Sequence, residues 1–106
     1  MPVNIKGLLF ELKQGLAEVY GSRLKAVYLF GSYARGDYDT ESDVDVLIVL
    51  TDYQSYGQEI DRTGELMSGV SLEHEISLSR VIMTEEQWQD SGTPFLRNVR
   101  AEARPA

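Results

Sequence analysis

The chain has no cysteine among its 106 residues, which removes disulfides, thiolate zinc sites and a cysteine nucleophile together. It has no apolar stretch near the roughly 18 residues that a membrane-spanning helix needs, and no span is expected. It also lacks a charged-then-apolar leader with a small-residue cleavage site, so no secretory signal is expected and a cytoplasmic setting fits. Positive charge is scarce: 10 Lys and Arg stand against 17 Asp and Glu, for a net charge of −7. That balance opposes a polyanionic duplex and disfavours direct nucleic-acid binding. Length is limiting too. Residues 1–106 are expected to form one domain around one modest core, with no room for a second substrate domain, so an acceptor would have to be presented by another molecule.

Hydrophobic periodicity organises what is there. Ile5, Leu8, Leu9, Leu12, Leu16 and Val19 recur at helical spacing over residues 4–20, with Asn4 as cap and Gly21 as stop. Residues 24–30, Leu-Lys-Ala-Val-Tyr-Leu-Phe, read as a strand that delivers the chain to Gly31-Ser32. Val44 to Leu50 is an almost unbroken apolar run, as in a central strand covered on both faces. Residues 53–68 are weakly helical, with Gly57 and Gly64 interrupting and Ile60, Leu66 and Met67 on a buried side. Over residues 70–82, Leu72, His74, Ile76 and Leu78 alternate with Glu73, Glu75, Ser77 and Ser79, which predicts a third strand. Thr84 with Gln87 forms a capping box for a short helix carrying Trp88; Thr93 and Pro94 open another through Phe95, Leu96 and Val99, with Pro105 as its stop. The expected fold is α/β: a single small domain with a mixed sheet of three or more strands flanked by helices.

The chemistry concentrates in Gly31-Ser32-Tyr33-Ala34-Arg35-Gly36 and in Ser42-Asp43-Val44-Asp45. A Gly-Ser turn ahead of a helix start offers backbone N–H groups to phosphate oxygens. Two aspartates at i, i+2 on a strand point to one face, where paired hard carboxylates suit Mg2+. Taken singly, each feature has a plain structural reading: a solvated Asp-x-Asp turn, a tight-turn glycine, a serine N-cap. Arg35 suits either phosphate contact or bracing of the loop. Asp37, Asp39 and Glu41 read as a solvated loop. His74, on the apolar face, reads as packed or hydrogen-bonded rather than as a ligand, and Trp88 with Phe95 as closing the core. Tyr33, Tyr38, Tyr53 and Tyr56 could border a base, and Arg97, Arg100 and Arg104 make a basic stripe that fits either a helix C-terminus or a docking surface.

The spacing joins these pieces: ten residues separate Ser32 from Asp43-x-Asp45. With Ala-Arg-Gly behind the serine, this Gly-Ser-x10-Asp-x-Asp pattern resembles the nucleotidyltransferase superfamily that includes DNA polymerase beta, and above all its minimal members. The resemblance implies ATP as substrate, two Mg2+ ions held by Asp43 and Asp45, and phosphate contacts from Gly31, Ser32 and Arg35. It also implies a third carboxylate from a neighbouring strand, for which Glu75 is the candidate and Glu73 the reserve. Minimal members act as antitoxins that adenylylate a helical HEPN-type toxin, so the resemblance implies transfer of AMP to a hydroxyl of such a partner. Two other readings stay open: a non-catalytic subunit that binds and neutralises the HEPN partner, and nucleotidyl transfer to RNA, DNA or a small molecule.

Overall fold

The computed structural model describes residues 4–90 and 92–106. The first helix, α1 (Ile5–Tyr20), starts where Asn4 accepts the Gly7 N–H at 3.0 Å and ends at Gly21, whose φ of 58° is left-handed. Its buried stripe is Leu8, Leu9, Leu12, Leu16 and Tyr20. Val19, expected in that stripe, lies at its edge and is 40% exposed. Tyr20 occupies the inward position instead, because its hydroxyl finds the buried Glu59 carboxylate at 2.7 Å.

After a 3-10 turn, β1 (Leu24–Phe30) runs to Gly31, and one helical turn, α2 (Ser32–Arg35), follows. The chain returns through an exposed loop into β2 (Val44–Leu50), antiparallel to β1. The next helix, α3 (Tyr56–His74), is capped by Ser55 and leads to β3 (Leu78–Thr84), parallel to β2. The Thr84–Gln87 capping box is reciprocal, at 3.1 and 3.0 Å, and opens α4 (Glu85–Gln89). Thr93 and Pro94 start α5 (Pro94–Glu102). That helix ends before Pro105, which lies instead in a two-residue strand, β4 (Arg104–Pro105), paired with β1. The sheet order is β3-β2-β1-β4.

The predicted strand over 70–82 is corrected by this layout. Residues 70–74 are the last turns of α3, and the strand begins only at Leu78. Glu59, Thr63, Met67 and Val70 are buried at helical spacing, so the helix continues past the glycines because its apolar face packs, while Leu72 is 78% exposed. Glu75 stops the helix in a left-handed conformation with φ 53°.

Side chains alternate across β2. Val44, Val46, Ile48 and Leu50 pack with α1 and α3, whereas Leu47 and Val49 meet Val99 of α5 and Trp88 of α4. The central strand is therefore covered on both faces. Asp45 belongs to the α5 side by the same alternation, at the end of the strand.

Candidate active site

The β1–β2 register sets the site. Phe30 is the partner of Asp45, so the next residue, Gly31, turns directly beside the Asp45 side chain. The approach is too close for any other residue: a Cβ on Gly31 would collide with the Asp45 carboxylate, and the φ of 77° disfavours one as well. The Gly31 carbonyl accepts the N–H groups of Ala34 and Arg35 at 3.1 and 3.0 Å, which closes the turn. Gly36, with φ 89°, releases the chain into the loop. There Asp39 accepts the Glu41 N–H at 2.8 Å and the Ser42 hydroxyl at 3.3 Å, so this acid braces the loop.

Asp43 is exposed just before β2, and Asp45 is half-buried two residues on. On the other flank of Asp45 the parallel register places Ser79 of β3, whose side chain favours the charged carboxylate. Burial, followed by the negative charge of Asp43, raises the Asp45 pKa, and Glu102 adds to the rise; the Ser79 side chain and Arg35 oppose it. Two adjacent carboxylates, one of them penalised for its charge and the other open to solvent, fit a hard divalent cation. Asp43 and Asp45 are the residues that could hold one.

An open cleft of about 580 Å³ brings together Gly31, Ser32, Arg35, Asp45 and, from α5, Phe95 and Glu102. A separate groove between α1 and the chain's last residues, about 520 Å³, is lined by Leu9, Phe10 and Ala17 together with Lys6, Lys13 and Gln14, and does not include the aspartates.

Neither Glu75 nor Glu73 lies on a strand beside the aspartates. Glu75 caps α3 at an exposed position, and the charges acting on Asp45 come from Asp43, Arg35 and Glu102. Glu73 belongs to a group with Glu11 and His74 whose ligand atoms lie within 4.8 Å of one another, on the α1–α3 side of the sheet. His74 is hydrogen-bonded there to Glu11 at 3.2 Å. The strand alternation that nominated Glu75 and Glu73 does not exist, because both belong to the end of a helix. What β3 sends toward Asp45 is Ser79, and the acid facing the cleft is Glu102. Its carboxylate accepts the Gly31 N–H at 2.6 Å and pairs with Arg35 at 3.1 Å. The usable signal was spacing: Glu102 follows the buried Val99 by three residues and so shares its helix face.

The aromatic residues divide. Trp88 packs on Tyr28 with ring centroids 4.9 Å apart, and the Arg100 guanidinium lies over it. Phe95 stands edge-on to Phe30 and is 45% exposed at the cleft. Tyr33 and Tyr38 stack at 4.2 Å beside the turn.

The nucleotidyltransferase domain family matches residues 9–105 of the chain. Two proteins of Methanocaldococcus jannaschii that carry the provisional name protein adenylyltransferase are similar to it. One is 40% identical over 80 residues, covering 76% of this chain and 80% of its own. The other is 33% identical over 103 residues, covering 96% and 97%. Among solved structures, a toxin–antitoxin with AMP-PNP superposes with a TM-score of 0.61 at 19% identity, covering 89% of this chain and 68% of that one. A tri-AMPylated HEPN toxin of Shewanella oneidensis in complex with an MNT antitoxin gives 0.52 at 15% identity, covering 92% and 70%. At these identities the structural likeness concerns the fold.

Proposed function

The chain belongs to the nucleotidyltransferase domain family, and from that premise we propose that it transfers AMP from ATP to a hydroxyl of a partner protein, a HEPN-type toxin whose antitoxin it is. The observation that carries this reading is the Phe30–Asp45 pairing, which sets the Gly31–Arg35 turn against the aspartate pair. Supporting it are the protein adenylyltransferase names of the M. jannaschii relatives and the toxin–antitoxin complexes of the same fold.

In this reading Asp43 and Asp45 would hold Mg2+, two ions in the full complement, which would neutralise charge on the triphosphate during transfer. The Gly31 N–H, Ser32 and Arg35 orient the phosphates, and Phe95 borders the cleft that admits them. The acceptor oxygen bonds to the α-phosphorus, the bond from that phosphorus to the α–β bridging oxygen breaks, pyrophosphate departs and the hydroxyl proton passes to solvent. Placement does most of the work, because phosphoryl transfer asks little covalent chemistry of the protein.

The test is to incubate the chain with Mg2+, ATP and its HEPN-type partner and weigh the partner intact. The expected result is a mass increase of AMP units on the partner, reduced roughly 10²-fold or more by Asp45→Asn. A partner that gains no mass while forming a stable complex favours the non-catalytic neutralising subunit. That second reading draws on one observation, that β3 offers Ser79 rather than an acid beside Asp45.

A further inference from the structure

Two donors in the cleft are already occupied by an anion of the chain itself. The Glu102 carboxylate takes the Gly31 N–H at 2.6 Å through Oε2, and Nη1 of Arg35 donates to both of its oxygens, at 3.1 and 3.3 Å. A backbone N–H and a guanidinium converging on one oxyanion form the donor set that recognises a phosphate group. The carboxylate is sheltered, with its side chain 20% exposed, and Gly31 is buried. We propose that Glu102 occupies the seat of a triphosphate oxygen in the free protein and must leave it for nucleotide to bind, so that the last turn of α5 sets nucleotide affinity. The proposal rests on the preceding reading of the cleft as a nucleoside triphosphate site.

Charge and mechanics both support the exchange. Asp43 and Glu102 both add to the negative field around Asp45, so Glu102 increases that field rather than relieving it. An incoming phosphate would inherit the Gly31 and Arg35 bonds and bring its own counter-cation. Release needs only a side-chain rotation. Leu96 and Val99 fix α5 in the core, whereas Glu102 lies in the helix's final turn and borders the open cleft. Arg35 keeps a second partner, Asp37 at 3.2 Å, so it stays over the turn when Glu102 departs.

The experiment titrates inorganic tripolyphosphate with Mg2+ into the wild-type chain, Glu102→Gln and Glu102→Asp, following the Gly31 amide resonance. Glu102→Gln removes the charge at constant size and is expected to bind about tenfold more tightly, a gain of about 1.4 kcal/mol. Glu102→Asp keeps the charge but shortens the reach by one methylene, and should fall between the two; it carries the comparison alone if the glutamine variant fails to fold. Equal or weaker binding by the variants, or no binding by any of the three proteins, overturns the proposal. A gain in affinity without AMP transfer to any partner would remove the functional reading and leave Glu102 as the seat's occupant. Transfer without a gain in affinity would do the reverse.

Discussion

Two of the charged clusters among the described residues are built on opposite plans. Around Glu59, which is 2% exposed, a single carboxylate is served by the Tyr20 hydroxyl at 2.7 Å, Arg62 at 3.1 Å and Arg23 at 4.0 Å. Around Arg35 the ratio is reversed: Asp37 and Glu102 pair with one guanidinium, and Asp45, with Asp43 beside it, lies within reach of the same charge. A buried charge with its donors in place holds structure together, and removing one partner is costly. A surplus of acids next to a strained glycine turn costs stability, and such a surplus persists where a ligand relieves it. By this criterion the Glu59 cluster is structural, and the Arg35 cluster is the one that suits the proposed site.

Substitutions at each centre should therefore move stability in opposite directions. The larger effect is expected from Glu59→Ala, which orphans the buried Tyr20 hydroxyl and opens a void, while Arg62 and Arg23, about half and two-fifths exposed, rehydrate. Urea denaturation should show a loss of about 2–3 kcal/mol. A loss below about 0.5 kcal/mol would erase the distinction between the clusters.

The smaller effect is a gain. The folded-state pKa of Asp45 is raised above its ordinary 3.8, so between those two values the native state holds a proton that the unfolded chain has lost. Stability is therefore highest below pH 3.8 as far as this group is concerned, and falls as pH rises through the folded pKa. Asp45→Asn removes that penalty at neutral pH and should raise the melting temperature of the metal-free protein by roughly 2–4 °C. A melting temperature that drops would show Asp45 to be a structural residue like Glu59.

Local signals carried much of this layout, and tertiary ones did not. Asn4, the Thr84–Gln87 box and Thr93-Pro94 are caps whose chemistry is complete within a few residues, and each opens its helix as read. The bounds of β1 and β2 also match, because continuous apolar runs and the glycine turn define them. The segment 70–82 misled because Leu72, His74, Ile76 and Leu78 alternate by chance, while the deciding stripe of Thr63, Met67 and Val70 includes a polar residue that is buried. At the site, Gly31, Ser32, Arg35 and Asp45 line one cleft, Asp43 lies two residues before Asp45, and all five are linked by a short stretch of chain. Glu102 lies 57 positions beyond Asp45 and reaches the cleft only because α5 packs on Leu47 and Val49. No local pattern encodes that docking.

The central claim is that the acid-rich cleft is incomplete without a metal-bound triphosphate, and calorimetry with ATP tests it most directly. The account predicts heat of binding with the wild-type chain only when Mg2+ or Mn2+ is present, and none with Asp43→Asn under the same conditions. Binding of ATP that is indifferent to metal, or unchanged in Asp43→Asn, would contradict it.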